Sequence, residues 1–282
     1  SSPVAATATT WPYGLDSRLD GPDLAHLDGL PADELLAWAI GRFGDRFAVV
    51  TSFQAEGMVV LDLARRIDPG VRVLTLDTGR LPEETYEVIE AVRTGLGLEV
   101  EVITPDPADV AAMVARHGPN LFHKDPALRR LCCHVRKVAP LDRALAGVEA
   151  WSTGLRRDGG RARGGIAKAE RDDAHGGILK LNPLADWTRD QVWAYVRSHR
   201  LPVSSLYSQG YTSIGCAPCT RPTRPGEDER AGRWWWEADQ DRECGLHTRL
   251  GGPASPDDRF SAALGRLRAD VNTRTWEPTN GC

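Results

Sequence analysis

The chain lacks several features that would assign it to a membrane, nucleic-acid-binding or secreted class. No apolar run approaches the roughly 18 residues that a membrane-spanning helix needs. The 35 Lys and Arg do not outnumber the 39 Asp and Glu, and a net charge of −4 gives no overall positive field for DNA or RNA. Residues 1–10 lack the basic and apolar stretches of a secretory signal, so we expect a cytoplasmic protein. Lysine is rare, occurring only at positions 124, 137, 168 and 180, so a lysine inside a motif is informative.

The six cysteines are distributed in a pattern that favours metal binding. They comprise an adjacent pair, a C-x-x-C pair and two single residues: Cys132, Cys133, Cys216, Cys219, Cys244 and Cys282. This distribution favours a metal site with a separate reactive thiol over a disulfide framework. Four thiolates suit zinc or an iron–sulfur cluster. Adjacent ligands on one helix are awkward for a small tetrahedral ion, whereas a four-iron cluster offers each a separate corner. Two buried thiols plus a redox pair remain the alternative.

The hydrophobic pattern predicts an α/β fold. Apolar runs predict strands at 47–50, 71–76 and 98–103, and helical spacing predicts helices at 31–43, 58–67, 82–92 and from 107 onward. This order implies a parallel sheet with helices on both faces. Further along, the sequence predicts a helix at 131–146, a strand at 149–152, a loop at 156–177, a strand at 178–181, a helix from the Thr188 capping box to about 199, and a helix at 256–271.

Two loops follow the first two predicted strands, where a parallel sheet binds its ligand. The first consists of Ser52, Phe53, Gln54, Ala55, Glu56 and Gly57. A turn from strand to helix directs backbone N–H groups and the helix dipole at an anion, although this loop lacks the Gly-Lys-Ser/Thr of a Walker motif. The second contains Asp77, Thr78 and Gly79, followed by Arg80. Either loop alone could be an ordinary turn, but together they favour nucleotide binding.

Several cations and one isolated thiol complete the candidate site. Lys137 follows the first cysteine pair by about one helical turn, with Arg136 beside it. Guanidinium forks suit phosphate and sulfate, and the candidates are Arg156, Arg163, Arg230 and Arg233, with a solvated surface role as the alternative. Cys244 stands beside a glycine with His247 three residues later. It is a candidate nucleophile, and the alternative is an incidental thiol.

Six stretches together resemble the assimilatory adenylyl-sulfate reductases, within the phosphoadenylyl/adenylyl-sulfate reductase family. They are residues 52–57, 76–79, 132–141, 153–157, 213–220 and 243–247, and the resemblance spans about 30–248. It implies an adenine-nucleotide α-hydrolase-like (PP-loop) fold. It also implies a [4Fe-4S] cluster on Cys132, Cys133, Cys216 and Cys219, and Cys244 as the nucleophile. The two loops, Lys137, the four arginines and His247 would hold the substrate.

The resemblance implies a reaction and a partner. We expect reduction of adenylyl sulfate to sulfite and AMP by a thioredoxin or similar dithiol protein, with no nucleic-acid or membrane partner and with homo-oligomerisation left open. Family members without the cysteine pairs use the 3′-phosphorylated substrate. The alternatives are a 3′-phosphoadenylyl-sulfate reductase, an ATP-using tRNA sulfur transferase on the same fold, and a zinc-stapled binding module. The transferase should carry a Gly-Gly in its first loop, which this chain lacks.

The expected organisation has four parts. Residues 1–29 are a flexible N-terminal segment, and residues 30–220 form the nucleotide-binding α/β domain with the iron–sulfur site. Residues 221–248 are a mobile catalytic segment, and residues 249–282 are an extension with no assigned role.

Overall fold

A computed structural model describes residues 21–160, 163–237 and 258–273. Its strands are β1 (Phe47–Val50), β2 (Val73–Leu76), β3 (Glu101–Ile103), β4 (Ala150–Ser152), β5 (Ala169–Asp172) and β6 (Ile178–Leu181). Its α-helices are α1 (Gly21–Asp28), α2 (Ala32–Phe43), α3 (Ala55–Ile67), α4 (Glu83–Gly95), α5 (Pro107–His117), α6 (Pro126–Cys133), α7 (Ala139–Ala144), α8 (Arg189–Ser198) and α9 (Asp258–Thr273). A π-helical turn, His134–Val138, joins α6 to α7.

The strands form one six-stranded sheet in the order β3-β2-β1-β4-β6-β5. All neighbouring pairs are parallel except β5 and β6, which are antiparallel. The strand order changes direction at β1, because β2 and β3 lie on one side of it and β4 begins the other side. The predicted α/β class with a parallel sheet is confirmed, and the carboxyl ends of β1, β2 and β4 meet at one edge.

Helices cover both faces of the sheet because β1 buries alternate residues on opposite sides. Phe47 and Val49 belong to the main core, which α2, α3 and α8 also supply. Ala48 faces the other side and packs in a smaller cluster with Leu141 and Leu145, which lie in and just after α7. The sequence correctly predicted the capping box of α8, in which the Thr188 side chain accepts from Gln191 N–H at 3.2 Å.

Two sequence predictions in the second half of the chain were wrong. The predicted loop at 156–177 contains β5, whose Ala-Glu-Arg-Asp sequence has no apolar alternation because it is an edge strand. The helix predicted to begin at the cysteine pair begins at Pro126 instead, where the Asp125 side chain caps it by accepting from Ala127 N–H at 2.7 Å. The two cysteines therefore lie inside a continuous helical run, which passes through the π-helical turn into α7, rather than at its start.

Described helices lie beyond the predicted limits of the α/β domain on both sides. Residues 21–28, placed by the sequence in a flexible segment, form α1, and Leu27 is fully buried in the main core. In the C-terminal extension, α9 packs against α5 and α6. Its Ala263 and Leu267 are buried in the same cluster as the four paired cysteines. Among the described residues, no helix is long and apolar enough to cross a membrane.

Candidate active site

A cavity of about 190 Å³ opens at the carboxyl edge of β1, β2 and β4. Trp151 of β4 and Thr153 after it contribute to its wall. Ten of the sequence-predicted binding residues also line it: Ser52, Gln54, Glu56, Gly57, Thr78, Lys137, Arg156, Arg163, Arg230 and Arg233. The structure therefore brings together side chains from five separate parts of the chain at the edge where the fold predicts a ligand.

Two predicted residues of the first loop turn away from this cavity. Phe53 has a positive φ of 55° and is buried in the main core. Its N–H donates to Thr51 Oγ1 at 3.0 Å. The N–H of Ala55 donates to the Tyr207 hydroxyl at 3.0 Å. Both residues hold the loop in shape rather than line the cavity.

The second loop is fixed by its own hydrogen bonds. Asp77 Oδ1 accepts from Gly79 N–H and from the Tyr86 hydroxyl, each at 2.8 Å. Burial and this carboxylate raise the pKa of Tyr86 to about 12. Arg136 donates to the Thr78 carbonyl at 2.6 Å. Asp77 and Gly79 thus shape the turn, and Thr78 is the predicted residue of this loop that reaches the cavity.

Two glycines allow the loops to approach closely. A Cβ on Gly57 would lie 2.4 Å from Thr51 Oγ1, and one on Gly154 would lie 2.9 Å from Gly57 N. Neither position has room for a side chain. The loop after β4 therefore packs directly on the first turn of α3, where the helix dipole favours an anion.

A second cavity lies beside the first and is lined by Cys132, Cys133, Cys216 and Cys219. All four thiols are buried and none forms a disulfide. Within the described part of the chain, no three His, Cys, Asp or Glu side chains are arranged to hold one metal ion. The four thiols thus share a cavity without converging on a single point.

The cations around the cysteines have unequal effects on the thiols. Burial opposes ionisation of Cys216, but Lys137, a hydrogen bond from Thr78 and two arginines together hold its pKa below the usual value. Burial raises the pKa of Cys132. Burial and the neighbouring Cys216 raise the pKa of Cys219 to about 12. An added positive group in this cavity would favour all four thiolates.

Lys137 and Arg233 line both cavities. Lys137 projects from the π-helical turn that follows the cysteine pair. Arg233 donates to the Ile214 carbonyl at 3.2 Å, and its guanidinium lies 4.8 Å from the Trp234 ring centre. It also passes directly over Gly215, where a Cβ would lie 2.2 Å from Nη2. These two cations therefore lie between the first cavity, at the carboxyl edge of the sheet, and the cavity lined by the thiols.

Arg156 is enclosed by carboxylates. Its side chain is 1% exposed and forms ion pairs with Glu56, Asp158 and Glu229. Sequence reasoning missed Glu229, although it directly precedes Arg230 in the chain. Arg80 does not line the first cavity but lines the second, and it donates to the Pro119 carbonyl and to Asn120 Oδ1.

The predicted C-terminal catalytic segment is described only in part. Residues 221–237 pack against the rest of the protein: Trp234 is 1% exposed, and Arg129 and Glu237 form a buried ion pair at 2.7 Å. In this structure, residues 221–237 of the predicted mobile segment are thus packed on the α/β domain, and their mobility stays a prediction. Cys244 and His247 lie outside the described residues.

The mostly parallel sheet and the cavity at its carboxyl edge define an α/β protein of the kind that binds its ligand at that edge. The phosphoadenosine phosphosulfate reductase domain family matches residues 46–222. An adenosine 5′-phosphosulfate reductase of Allochromatium vinosum is 49% identical over 80% of this chain and 87% of the relative. One of Burkholderia cepacia is 47% identical over 76% of this chain and 85% of the relative.

Solved structures agree with these sequence matches. A phosphoadenylyl-sulfate reductase from Candida auris, in a phosphate complex, has a TM-score of 0.62 and 27% identity and covers 72% of this chain and 98% of its own. An FMN adenylyltransferase from Candida glabrata has a TM-score of 0.50 at 13% identity, covers 79% of this chain and 76% of its own, and shows the fold alone. The chain belongs to the phosphoadenosine phosphosulfate reductase family, and the resemblance found in its motifs is confirmed.

Proposed function

We propose that this protein reduces adenylyl sulfate to sulfite and AMP in sulfate assimilation, with a thioredoxin or similar dithiol protein as reductant. The observation that carries the proposal is the pairing of two cavities: one at the nucleotide edge and one lined by four thiols, with Lys137 and Arg233 in both walls. The two relatives compared above are named adenosine 5′-phosphosulfate reductases, which supports the substrate without a 3′-phosphate.

Four buried thiols that line one cavity support an iron–sulfur cluster as its occupant. Its thiols line one space but are not arranged around one metal. A [4Fe-4S] cluster takes one thiolate at each of four corners, and Cys132, Cys133, Cys216 and Cys219 would supply them. When bound, the cluster supplies a compact anionic group beside Lys137 and need not change oxidation state. Iron and acid-labile sulfide in anaerobically purified protein support this assignment, whereas stoichiometric zinc without iron contradicts it.

The substrate would lie with its nucleotide over the two loops and its phosphosulfate toward the basic wall. Gly57 in the first turn of α3 and Thr78 after β2 line the same cavity as Lys137, Arg163, Arg230 and Arg233. Fixed cations aimed at the phosphosulfate stabilise the negative charge that develops on the leaving phosphate.

Cys244 is the proposed nucleophile. Its thiolate attacks the sulfur of adenylyl sulfate, an S–S bond forms, and the S–O bond to the phosphate breaks with its electron pair leaving on AMP. A thiolate of the reductant then attacks the Cys244 sulfur and expels sulfite with the S–S electron pair. The reductant's second thiol resolves the mixed disulfide, so a dithiol is oxidised as sulfate is reduced to sulfite.

The test compares turnover of adenylyl sulfate with turnover of its 3′-phosphorylated form, using purified protein and a reduced thioredoxin. Clear preference for adenylyl sulfate supports the proposal. Preference for the 3′-phosphorylated form supports the family's other activity, and failure to release sulfite from either refutes both.

A further inference from the structure

Arg156 lies in the wall of the first cavity, yet all of its nitrogens donate to carboxylates. Nε donates to Glu56 Oε1 at 2.9 Å, and Nη2 lies 3.0 and 3.1 Å from the two oxygens of Glu229. Nη1 donates to Asp158. An oxyanion of the substrate would therefore have to compete with three carboxylates that already surround this buried guanidinium.

We propose that Arg156 is a positioning residue that holds Glu229 in place. Through Glu229 it fixes the position of Arg230 relative to the phosphosulfate of the substrate, an inference that rests on the proposed function. Glu229 and Arg230 are adjacent in the chain, so fixing the first side chain restricts the backbone that carries the second. The same backbone is fixed from its other side, because the Glu229 carbonyl accepts from the Thr212 hydroxyl at 2.6 Å.

The side chain of Arg230 provides independent support for a structural link between Arg156 and Arg230. A Cβ on Gly160 would lie 3.1 Å from Cδ of Arg230, so the stem of Arg230 runs across the loop that Arg156 begins. That loop turns back on itself, since Gly159 N–H donates to the Arg156 carbonyl at 3.2 Å. Arg156 and Arg230 thus touch the same short loop from opposite ends.

The Glu56 ion pair extends the arrangement to the nucleotide loop. Glu56 lies in the first turn of α3, directly before Gly57. One guanidinium therefore joins the 52–57 loop to the segment carrying Arg230, across 100 residues of sequence on one side and 73 on the other. The nucleotide site and its basic wall are held at a fixed separation, as a preorganised oxyanion site requires.

The experiment measures dissociation constants of adenosine and AMP by calorimetry for wild type, Arg156→Gln, Glu229→Gln and the double variant. We expect each single variant to raise the dissociation constant of AMP about tenfold or more, which is the effect of losing one charge-assisted hydrogen bond. Adenosine binding should stay within about twofold, which also shows that the variants fold. The double variant should bind AMP no more weakly than either single variant, because the two residues act through the same series of contacts. Glu227→Gln is the matched control: Glu227 pairs with Arg221 at the surface and should leave both constants unchanged.

Three results would overturn the inference. If Glu229→Gln binds AMP as tightly as wild type while Arg156→Gln loses affinity, Arg156 binds the phosphate itself. If the affinities for adenosine and for AMP fall equally, the ion pairs of Arg156 stabilise the fold only. If the two single effects add in the double variant, the residues act separately. Failure of the proposed function is seen separately, as wild type that binds AMP but does not convert adenylyl sulfate, and the AMP comparison still decides the role of Arg156.

Discussion

The Thr78 hydroxyl lies 3.3 Å from Sγ of Cys216, so a residue of the loop after β2 contacts the wall of the thiol cavity. Thr78 also lines the nucleotide-edge cavity. The two sites are therefore in direct contact across buried atoms, where charges are weakly screened. A change of charge at one should alter the other.

Lys137 provides the most direct test of this coupling. Lys137→Ala removes a preorganised cation that lines both cavities, which can cost about 2–4 kcal/mol of transition-state stabilisation. We expect turnover of adenylyl sulfate to fall on the order of tens-fold or more. The matched control is Lys124→Ala, since Lys124 is exposed and donates only to the His117 carbonyl among its described contacts. A Lys137→Ala enzyme that turns over at the wild-type rate would remove this role.

Gly215 should be intolerant of any side chain. A Cβ there would lie 2.2 Å from Nη2 and 2.4 Å from Cζ of Arg233, so Gly215→Ala must displace that guanidinium from its place between the cavities. We expect a rise in KM for adenylyl sulfate of about tenfold, as one charged contact is lost. Gly41→Ala is the control, since nothing lies within 4 Å of a Cβ at that helix position. Equal KM values for the two variants would show that Arg233 does not contact the substrate.

Helix α9 should stabilise the layer that carries the cysteine pair. Ala263 is 1% exposed and packs in the cysteine cluster, whereas the neighbouring Ala262 is exposed. Ala263→Asp buries an unpaired carboxylate and should lower the free energy of unfolding by about 2–4 kcal/mol. Ala262→Asp should change it by less than about 0.5 kcal/mol. Urea unfolding of the two variants measures the contrast, and similar midpoints would show that α9 is not packed as described.

Asp62 gives a pH-dependent contribution to stability. Its buried carboxylate accepts from Arg65, Arg66 and Tyr195, each at 2.8 Å. Burial opposes the charged form, but these donors outweigh it and lower the pKa below the ordinary 3.8. A lowered pKa stabilises the fold above the unfolded value and loses that effect as the pH falls through the folded value.

The matching measurement is the difference in unfolding free energy between wild type and Asp62→Asn. It should be about 1–3 kcal/mol near neutral pH and shrink below about pH 4. A difference that stays constant into acid would mean that the carboxylate's charge contributes nothing.

The sequence predicted the sheet edge because strand–loop–helix order is a local pattern. β1 and β6 are apolar runs, and the loops after β1 and β2 follow from where those runs stop. β5 was missed because the run Ala169–Asp172 becomes a strand only by pairing with β6, which no local periodicity records. The predicted start of α6 was wrong because the helix begins at its Asp125 cap and Pro126, before the segment that carries the cysteine pair.

The sequence predicted which residues belong to the candidate site but not which of them pair with one another. Lys137 and the arginines were predicted from their motifs. Nothing local indicates that Glu56 and Glu229 converge on Arg156, since the three are brought together only by the folded chain. Phe53 was predicted as a binding residue from its place in the loop, yet its positive φ turns the ring into the core.

The central claim, sulfur transfer through Cys244, is tested most directly by mapping its intermediate. The protein is incubated with adenylyl sulfate without reductant, and its peptides are examined by mass spectrometry. We predict the mass increase of one sulfonate on the peptide carrying Cys244, lost again when reduced thioredoxin is added. A sulfonate on Cys282 instead, or full activity in Cys244→Ser, would contradict the account.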